Sequence, residues 1–244
     1  MFEKIHKEFD DFKLLLRNVP SICVTAFVVS VILMNLLANK EINTGISWLA
    51  LDCGILVSWL SFLSMDMLTK RFGPKAATKI SFFAVGMNLI VCAVLFIVSK
   101  IPGNWGAFYD YGMEQSINGA INATFGGTWY VLLGSTIAIL VSSVVNNFSN
   151  AAIGKMLKEN NFKSYAIRSY ASTLIGQFVD NMVFALIVSH NFFGWTLVQC
   201  ITCSITGCVV ELLCEMIFSP IGYRVSKKWE KENVGRDYLD MQKA

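Results

Sequence analysis

The sequence predicts an all-α, polytopic membrane protein with six transmembrane helices and both termini in the cytoplasm. Of its 244 residues, 55% are hydrophobic and only 15% are charged, whereas soluble domains usually carry about 25% charged residues. Apolar stretches near the ~20 residues that cross a bilayer recur along almost the whole chain. The basic residues are concentrated in the segments on one side of these stretches. Together these observations favour a bilayer as the main solvent of the protein.

The predicted spans are similar in length and are separated by short polar loops. They cover residues 19–39, 50–69, 79–99, 128–150, 168–190 and 196–219. We therefore divide the chain into an N-terminal segment, 1–18, a six-helix transmembrane domain, 19–222, and a charged cytoplasmic tail, 223–244.

The N-terminal segment carries a single apolar stripe. Phe2, Ile5, Phe9, Phe12 and Leu16 recur at alternating steps of three and four residues, which places them on one face of a helix. This pattern predicts an amphipathic helix that lies on the membrane surface. A cytoplasmic helix packed on the bundle is the alternative.

The longest loop joins the third and fourth spans and contains a helical pattern of its own. Met113, Ile117, Ile121 and Phe125 lie four residues apart, a spacing typical of one face of a helix. We expect a short interfacial or re-entrant helix in this loop.

The orientation follows from the basic residues. Four or more occur in the N-terminal segment, in the second-to-third loop, in the fourth-to-fifth loop and in the tail. The opposite side carries only Lys40 and Lys100. Cytoplasmic loops are enriched in lysine and arginine, so this distribution predicts cytoplasmic termini and a multi-pass protein of the cell membrane.

Four acidic residues lie well inside predicted spans, namely Asp66, Asp180, Glu211 and Glu215, while Asp52 lies near an entrance to the second span. A carboxylate at the bilayer centre costs about 2.5–3.5 kcal/mol on insertion scales. Such groups face a bundle interior or a water-filled cavity, where they commonly serve function. For Asp66, a capping position near Lys70 at the end of its span is an equally good interpretation.

Other polar and aromatic side chains share helical faces with these acids or come from neighbouring spans. Acids, amides and aromatic rings on facing helices suit a planar ligand with hydrogen-bonding edges, although such amides also serve as interhelical contacts worth on the order of 1 kcal/mol. The candidate ligand-binding residues are Asp180, Gln177, Glu211, Asp66, Asn35, Trp59, Phe62 and Asn146.

Several other function classes lack their sequence signals. The chain contains no GxxxxGK[ST], HExxH or GxSxG motif, so we predict no enzymatic activity and rank an intramembrane enzyme or assembly factor behind a transporter. Cys200 and Cys203 form a CxxC without a second ligand pair, which favours packing over metal or redox chemistry. We predict no cofactor and no metal. We also predict no nucleic-acid partner, because the basic residues are scattered over short loops.

The stretch SWLSFLSMDMLTKRFGPKAATK resembles the second-span signature of the vitamin uptake transporter family, the queuosine precursor transporters. The resemblance covers nearly the whole chain. The residues that carry it are Asp66, Thr69, Phe72 and Gly73 in this stretch, Asn35 and Lys40 at the end of the first span, Arg168, Ser172, Gln177, Asp180 and Phe184 in the fifth, and Pro220 and Tyr223 near the end.

The resemblance implies import of a 7-deazaguanine base across the cytoplasmic membrane for tRNA modification. Candidates are queuine and its precursors with a cyano or aminomethyl group. We expect Asp180 to accept the N1–H and 2-amino hydrogens of the base as a bidentate pair, Gln177 to bind its 6-oxo group, and Trp59 or Phe62 to stack on the ring.

The resemblance also implies a fold similar to the six-helix substrate-binding subunits of energy-coupling-factor transporters. A binding subunit of that kind, for a vitamin or nucleobase, is therefore the alternative function. It would need a separate energy-coupling module, whereas a stand-alone carrier would work alone or as a homodimer.

Four positions depart from the family pattern. The family tends to have Glu at Lys70, an acid at Asn146, Lys at Glu211 and Pro near Ser58. Replacement of a basic residue by Glu211 makes the expected cavity more acidic. We therefore predict a preference for a base that bears an amine over the neutral cyano form.

Overall fold

The computed structural model describes residues 2–106, 114–126, 129–157 and 161–242. The chain is almost entirely helical, and only two strands of two residues each interrupt the helices within these ranges. The elements are α1 Phe2–Asn18, α2 Ser21–Leu37, β1 Glu41–Ile42, β2 Leu51–Asp52, α3 Ile55–Phe72, α4 Pro74–Lys100, α5 Glu114–Gly126, α6 Trp129–Met156, α7 Phe162–Phe184 with a π-helical turn at Ala185–Ser189, α8 His190–Phe192, α9 Leu197–Lys231 and α10 Arg236–Met241.

The nearly all-α class is confirmed, and several helices have the composition of membrane spans. Over the described ranges, four helical segments, which include α4, α6, α7 and α9, are long and apolar enough to cross a bilayer, and α1 with α2 make a fifth if they count as one bent span. The predicted span 19–39 falls on α2, which has only 17 residues. The predicted span 50–69 falls on α3, whose 18 residues include the charged Asp66, Lys70 and Arg71. Neither helix alone is therefore among the four segments. A count of six spans stays a prediction.

Helix α1 packs on the end of the bundle that holds both termini. It meets α2 at a bend of 106°. Its Leu15 is fully buried in a hydrophobic cluster that includes Phe72 at the end of α3 and Tyr238 of α10. Lys79 of α4 forms an ion pair with Glu8 at 2.7 Å and contacts a second carboxylate of α1. Two residues of the apolar stripe, Phe12 and Leu16, pack against this cluster, whereas Phe9 remains 62% exposed.

Helix α9 continues past residue 222, where the sequence suggested that the membrane domain ends and the tail begins. It runs from Leu197 to Lys231 and contains Pro220. A proline cannot donate a backbone hydrogen bond to the carbonyl four residues earlier. That carbonyl belongs to Met216, and the Ser219 hydroxyl donates to it at 3.2 Å instead.

The loop between α4 and α6 contains the short helix that the spacing predicted. Helix α5 spans Glu114–Gly126 and packs against α4. Its Phe125 ring lies 5.5 Å from the Trp105 ring. Met113, the first residue of the predicted pattern, lies outside the described residues.

Helix α7 packs closely on α6 and α9 and also contacts α3. The close approach of α7 to α3 and α6 depends on Gly176. A Cβ atom at this position would lie 2.8 Å from Asn146 Cβ and 2.8 Å from Phe62 Cε1. Real Cβ atoms do not come this close to such neighbours, so the packing of α7 on α3 and α6 requires glycine.

We therefore expect Gly176→Ala to lower stability by about 1–3 kcal/mol, the usual cost of overpacking a core. Thermal unfolding of the purified protein in detergent measures this effect. Gly86→Ala is the matched control, because a Cβ at Gly86 of α4 meets no atom within 4 Å. Equal unfolding temperatures for the two variants would contradict the packing argument.

Candidate functional site

A narrow pocket opens between α2, α3, α7 and α9, at the end of the bundle opposite the termini. Its lining includes Asn35, Asp52, Asp180, Asn181 and Glu211. The centre of a water molecule can occupy about 50 Å³ of it. Ligand pockets usually offer about 300–1,000 Å³, so a ligand larger than a few waters requires the walls to move apart.

Asp180 reaches this pocket from α7 and is only 6% exposed. The Ser142 hydroxyl of α6 donates a hydrogen bond to Asp180 Oδ1 at 2.6 Å. In the described part of the chain, Asp180 accepts no other hydrogen bond. Its second oxygen, Oδ2, therefore remains available to a ligand in the pocket. The carboxylate is therefore positioned by a neutral donor and retains accepting capacity for a ligand.

Glu211 of α9 is held in place by three neutral side chains. The Ser58 hydroxyl of α3 donates to Oε1, and Asn181 Nδ2 donates to Oε2 at 3.2 Å. The Gln177 amide faces the same carboxylate, and with its nitrogen turned inward it lies 2.6 Å from Oε2. The orientation of this amide is assigned from the hydrogen-bond network. Glu211 thus receives hydrogen-bond donors from α3 and α7, and within the described part of the chain it forms no ion pair with a lysine or arginine.

Gly207 makes room for the Asn181 amide beside Glu211. A Cβ atom at Gly207 would lie 2.6 Å from Asn181 Nδ2. The glycine therefore lets α9 approach α7 closely enough for Asn181 to reach the carboxylate one turn further along α9.

The pocket is strongly acidic. Among the described residues, three carboxyl groups line it, those of Asp52, Asp180 and Glu211, and no lysine or arginine belongs to this lining. The Asp52 carboxylate accepts a hydrogen bond from the Gly54 backbone N–H at 2.7 Å, which is again a neutral donor. Because buried carboxylates need hydrogen-bond donors or positive charge, this pocket favours a ligand that brings one or both.

A second polar cluster lies deeper in the bundle, toward the termini. Its centre is formed by Asp66 of α3 and Glu215 of α9, both fully buried. Asp66 Oδ1 accepts hydrogen bonds from Asn150 Nδ2 at 2.7 Å and from Asn146 Nδ2 at 3.3 Å. The Ser169 hydroxyl of α7 contacts both acids. Neither Asp66 nor Glu215 lines the pocket described above.

The structure therefore divides the candidate ligand-binding residues among several places. Asn35, Asp180 and Glu211 line the pocket, and Gln177 supports Glu211 from behind. Asp66 and Asn146 belong to the deeper cluster.

The two aromatic candidates lie elsewhere. Trp59 stacks on Phe218, with ring centroids 4.2 Å apart. Phe62 is fully buried in the hydrophobic core. The aromatic residue that lines the pocket is Phe184.

Asn181, Asp52 and Ser58 line the pocket, and Ser142 supports Asp180 from α6, but these polar residues were absent from the candidates. Asn181 follows Asp180 directly inside an apolar segment, and Asp52 lies just before α3, so the polarity of both residues was a usable signal. Ser58 and Ser142 gave no signal, because serines are common inside transmembrane helices and often bond only to their own backbone.

The model of the family described as "Putative vitamin uptake transporter" matches residues 52–225. The match covers well over half of the chain and includes Asp66, Asp180, Glu211 and Glu215, while Asn35 precedes it. Neither the search of the curated proteins nor the search of the solved structures found a match.

Proposed function

The chain belongs to the vitamin uptake transporter family, and from this premise we propose that it imports a queuosine precursor, a 7-deazaguanine base, across the cytoplasmic membrane. The family match confirms the resemblance seen in the sequence. The identity of the base and of the membrane is our proposal. Queuine and its aminomethyl and cyano precursors are the candidate substrates.

The acidic pocket is the observation that carries this proposal. The edge of a 7-deazaguanine presents two neighbouring donors, N1–H and the 2-amino group. One carboxylate can accept both in a bidentate pair. Asp180 suits this role, because its Oδ2 is not used by Ser142 and each carboxylate oxygen can accept more than one hydrogen bond.

The neighbouring groups complete a site for such a base. Asn181 donates one amide hydrogen to Glu211 and has a second that can bind the 6-oxo oxygen. The sequence suggested Gln177 for this role, but the Gln177 amide faces Glu211. Phe184 supplies an aromatic ring at the pocket wall. In this arrangement Glu211 is available to an amine at position 7 of the base.

The pocket has to widen to admit a base, and the chain has an irregular segment next to it. Phe184 is followed at once by the π-helical turn Ala185–Ser189. Such turns are rare in helices and occur frequently at functional sites. A change in this turn would shift Phe184 without unfolding α7.

Feeding experiments in cells test the proposal. The host cannot synthesise or take up queuosine precursors, but retains the enzymes that insert them into tRNA. We expect modified tRNA, measured by mass spectrometry, only when the protein is expressed and one of the three bases is supplied. If none of the bases yields modified tRNA while the protein is present in the membrane, the proposal is wrong.

A further inference from the structure

The deeper cluster contains two acids in direct contact. The Asp66 and Glu215 carboxyl groups lie within hydrogen-bonding distance of each other. The Ser169 hydroxyl contacts both of them, but a hydroxyl has one hydrogen to donate. Two ionised carboxylates have none. The contact between the acids is therefore a hydrogen bond only if a proton lies on one of them.

The same cluster has more acceptors than donors. Three buried oxygens have no hydrogen-bond partner, namely Glu215 Oε2, Asn146 Oδ1 and Asn150 Oδ1. The two amide nitrogens are already directed at Asp66. An unsatisfied buried acceptor costs about 1–3 kcal/mol, so the cluster is suited to receive a further hydrogen.

No cation neutralises the two acids directly. Within the described ranges, neither acid forms an ion pair with a lysine or arginine. The charged or titratable neighbours are Arg168 and Tyr165 of α7, which act on the acids through space. Helix α6 contributes only the neutral amides of Asn146 and Asn150.

The pocket and the deeper cluster are linked by the same pair of helices. Ser58 contacts Glu211, and Asp66 contacts Glu215. Both contacts join α3 to α9, and the two glutamates are one helical turn apart. If α3 moves away from α9 to admit a base to the pocket, the same movement therefore also separates Asp66 from Glu215.

We propose that the Asp66–Glu215 pair is a proton-binding site that couples import of the base to the proton gradient. This inference rests on the proposed function. In contact, the acids share one proton. When a base enters and the acids separate, each buried carboxylate needs its own proton, so a second proton binds from outside. Release of the base restores the contact and expels one proton into the cytoplasm, on the side of Arg168. Each cycle then moves one proton inward in addition to any charge that the base itself carries.

Proteoliposomes that contain only the purified chain test this inference, with labelled queuine as the probe. The outside is acidic. Because the queuine amine is protonated and retained on the acidic side, passive diffusion would lower the queuine concentration inside rather than raise it. We expect accumulation several-fold above the level without a gradient, and its loss on addition of a protonophore. This measurement uses only the wild-type protein. Accumulation that survives the protonophore, or that a sodium gradient drives in its presence, would overturn the inference.

Variants separate coupling from transport. We expect Glu215→Gln, and independently Asp66→Asn, to exchange internal for external queuine without a gradient and to lose gradient-driven accumulation. Glu232→Gln, an exposed acid beside Lys228, should behave like the wild type. Accumulation by Glu215→Gln at the wild-type level would contradict the assignment.

The outcomes also separate the two proposals. Wild-type exchange that does not respond to the proton gradient overturns only the coupling inference. A wild-type protein that neither exchanges nor accumulates queuine overturns the proposed function, and the coupling inference with it.

Discussion

Asp180→Asn is expected to weaken queuine binding by roughly 30- to 150-fold. The physical reason is the loss of charge-assisted hydrogen bonds to N1–H and the 2-amino group, worth about 2–3 kcal/mol. Asparagine also places an amide nitrogen where Asp180 Oδ2 stands, so that a donor would face the donors of the base. Equilibrium binding of labelled queuine to the purified protein measures the change.

The fold should survive this substitution. Asparagine has nearly the same shape as aspartate, and its side-chain oxygen can still accept the hydrogen bond from Ser142. Asp237→Asn is the matched control, because Asp237 is exposed on α10 at the other end of the bundle. An Asp180→Asn variant that unfolds at the wild-type temperature and binds queuine with wild-type affinity would remove Asp180 from the site.

Glu211→Gln is expected to abolish the preference for bases that carry an amine. A charge-assisted contact with an amine is worth about 1.5–3 kcal/mol, so the selectivity ratio of the aminomethyl base over the cyano base should fall roughly tenfold or more. Glutamine keeps the length of the side chain, and its single amide oxygen can still accept one of the two hydrogen bonds that Ser58 and Asn181 donate to the separate carboxylate oxygens of Glu211. The loss should therefore affect charge recognition more than shape.

Competition for labelled queuine uptake measures this selectivity. In the wild type, unlabelled aminomethyl base should compete better than unlabelled cyano base, and in Glu211→Gln the two should compete about equally. Glu232→Gln, which removes an exposed carboxylate of the tail, serves as the control. Equal competition by both bases in the wild type would refute the role assigned to Glu211.

The sequence was sufficient for the helices and for the most informative acids. Apolar runs of nearly constant length gave the positions of α4, α6, α7 and α9, because the hydrocarbon layer fixes that length. Asp180 and Glu211 could be found because a carboxylate in an apolar segment is costly and has to face inward. Both line the pocket in the structure.

The division of the polar residues into two clusters could not be predicted from spacing. Helical periodicity shows which residues share a face, but not the depth at which a neighbouring helix supplies partners. Asp66 and Trp59 share one side of α3 by spacing, yet Asp66 contacts amides of α6 and Trp59 stacks on Phe218 of α9. The supporting serines Ser58 and Ser142 became visible only through the carboxylates that they contact.

A solved structure of the protein with queuine bound tests the central claim most directly. The account predicts the base between α2, α3, α7 and α9, with N1–H and the 2-amino group within hydrogen-bonding distance of the Asp180 carboxylate. Queuine bound elsewhere, or an Asp180 side chain turned toward lipid while the base is bound, would contradict the account.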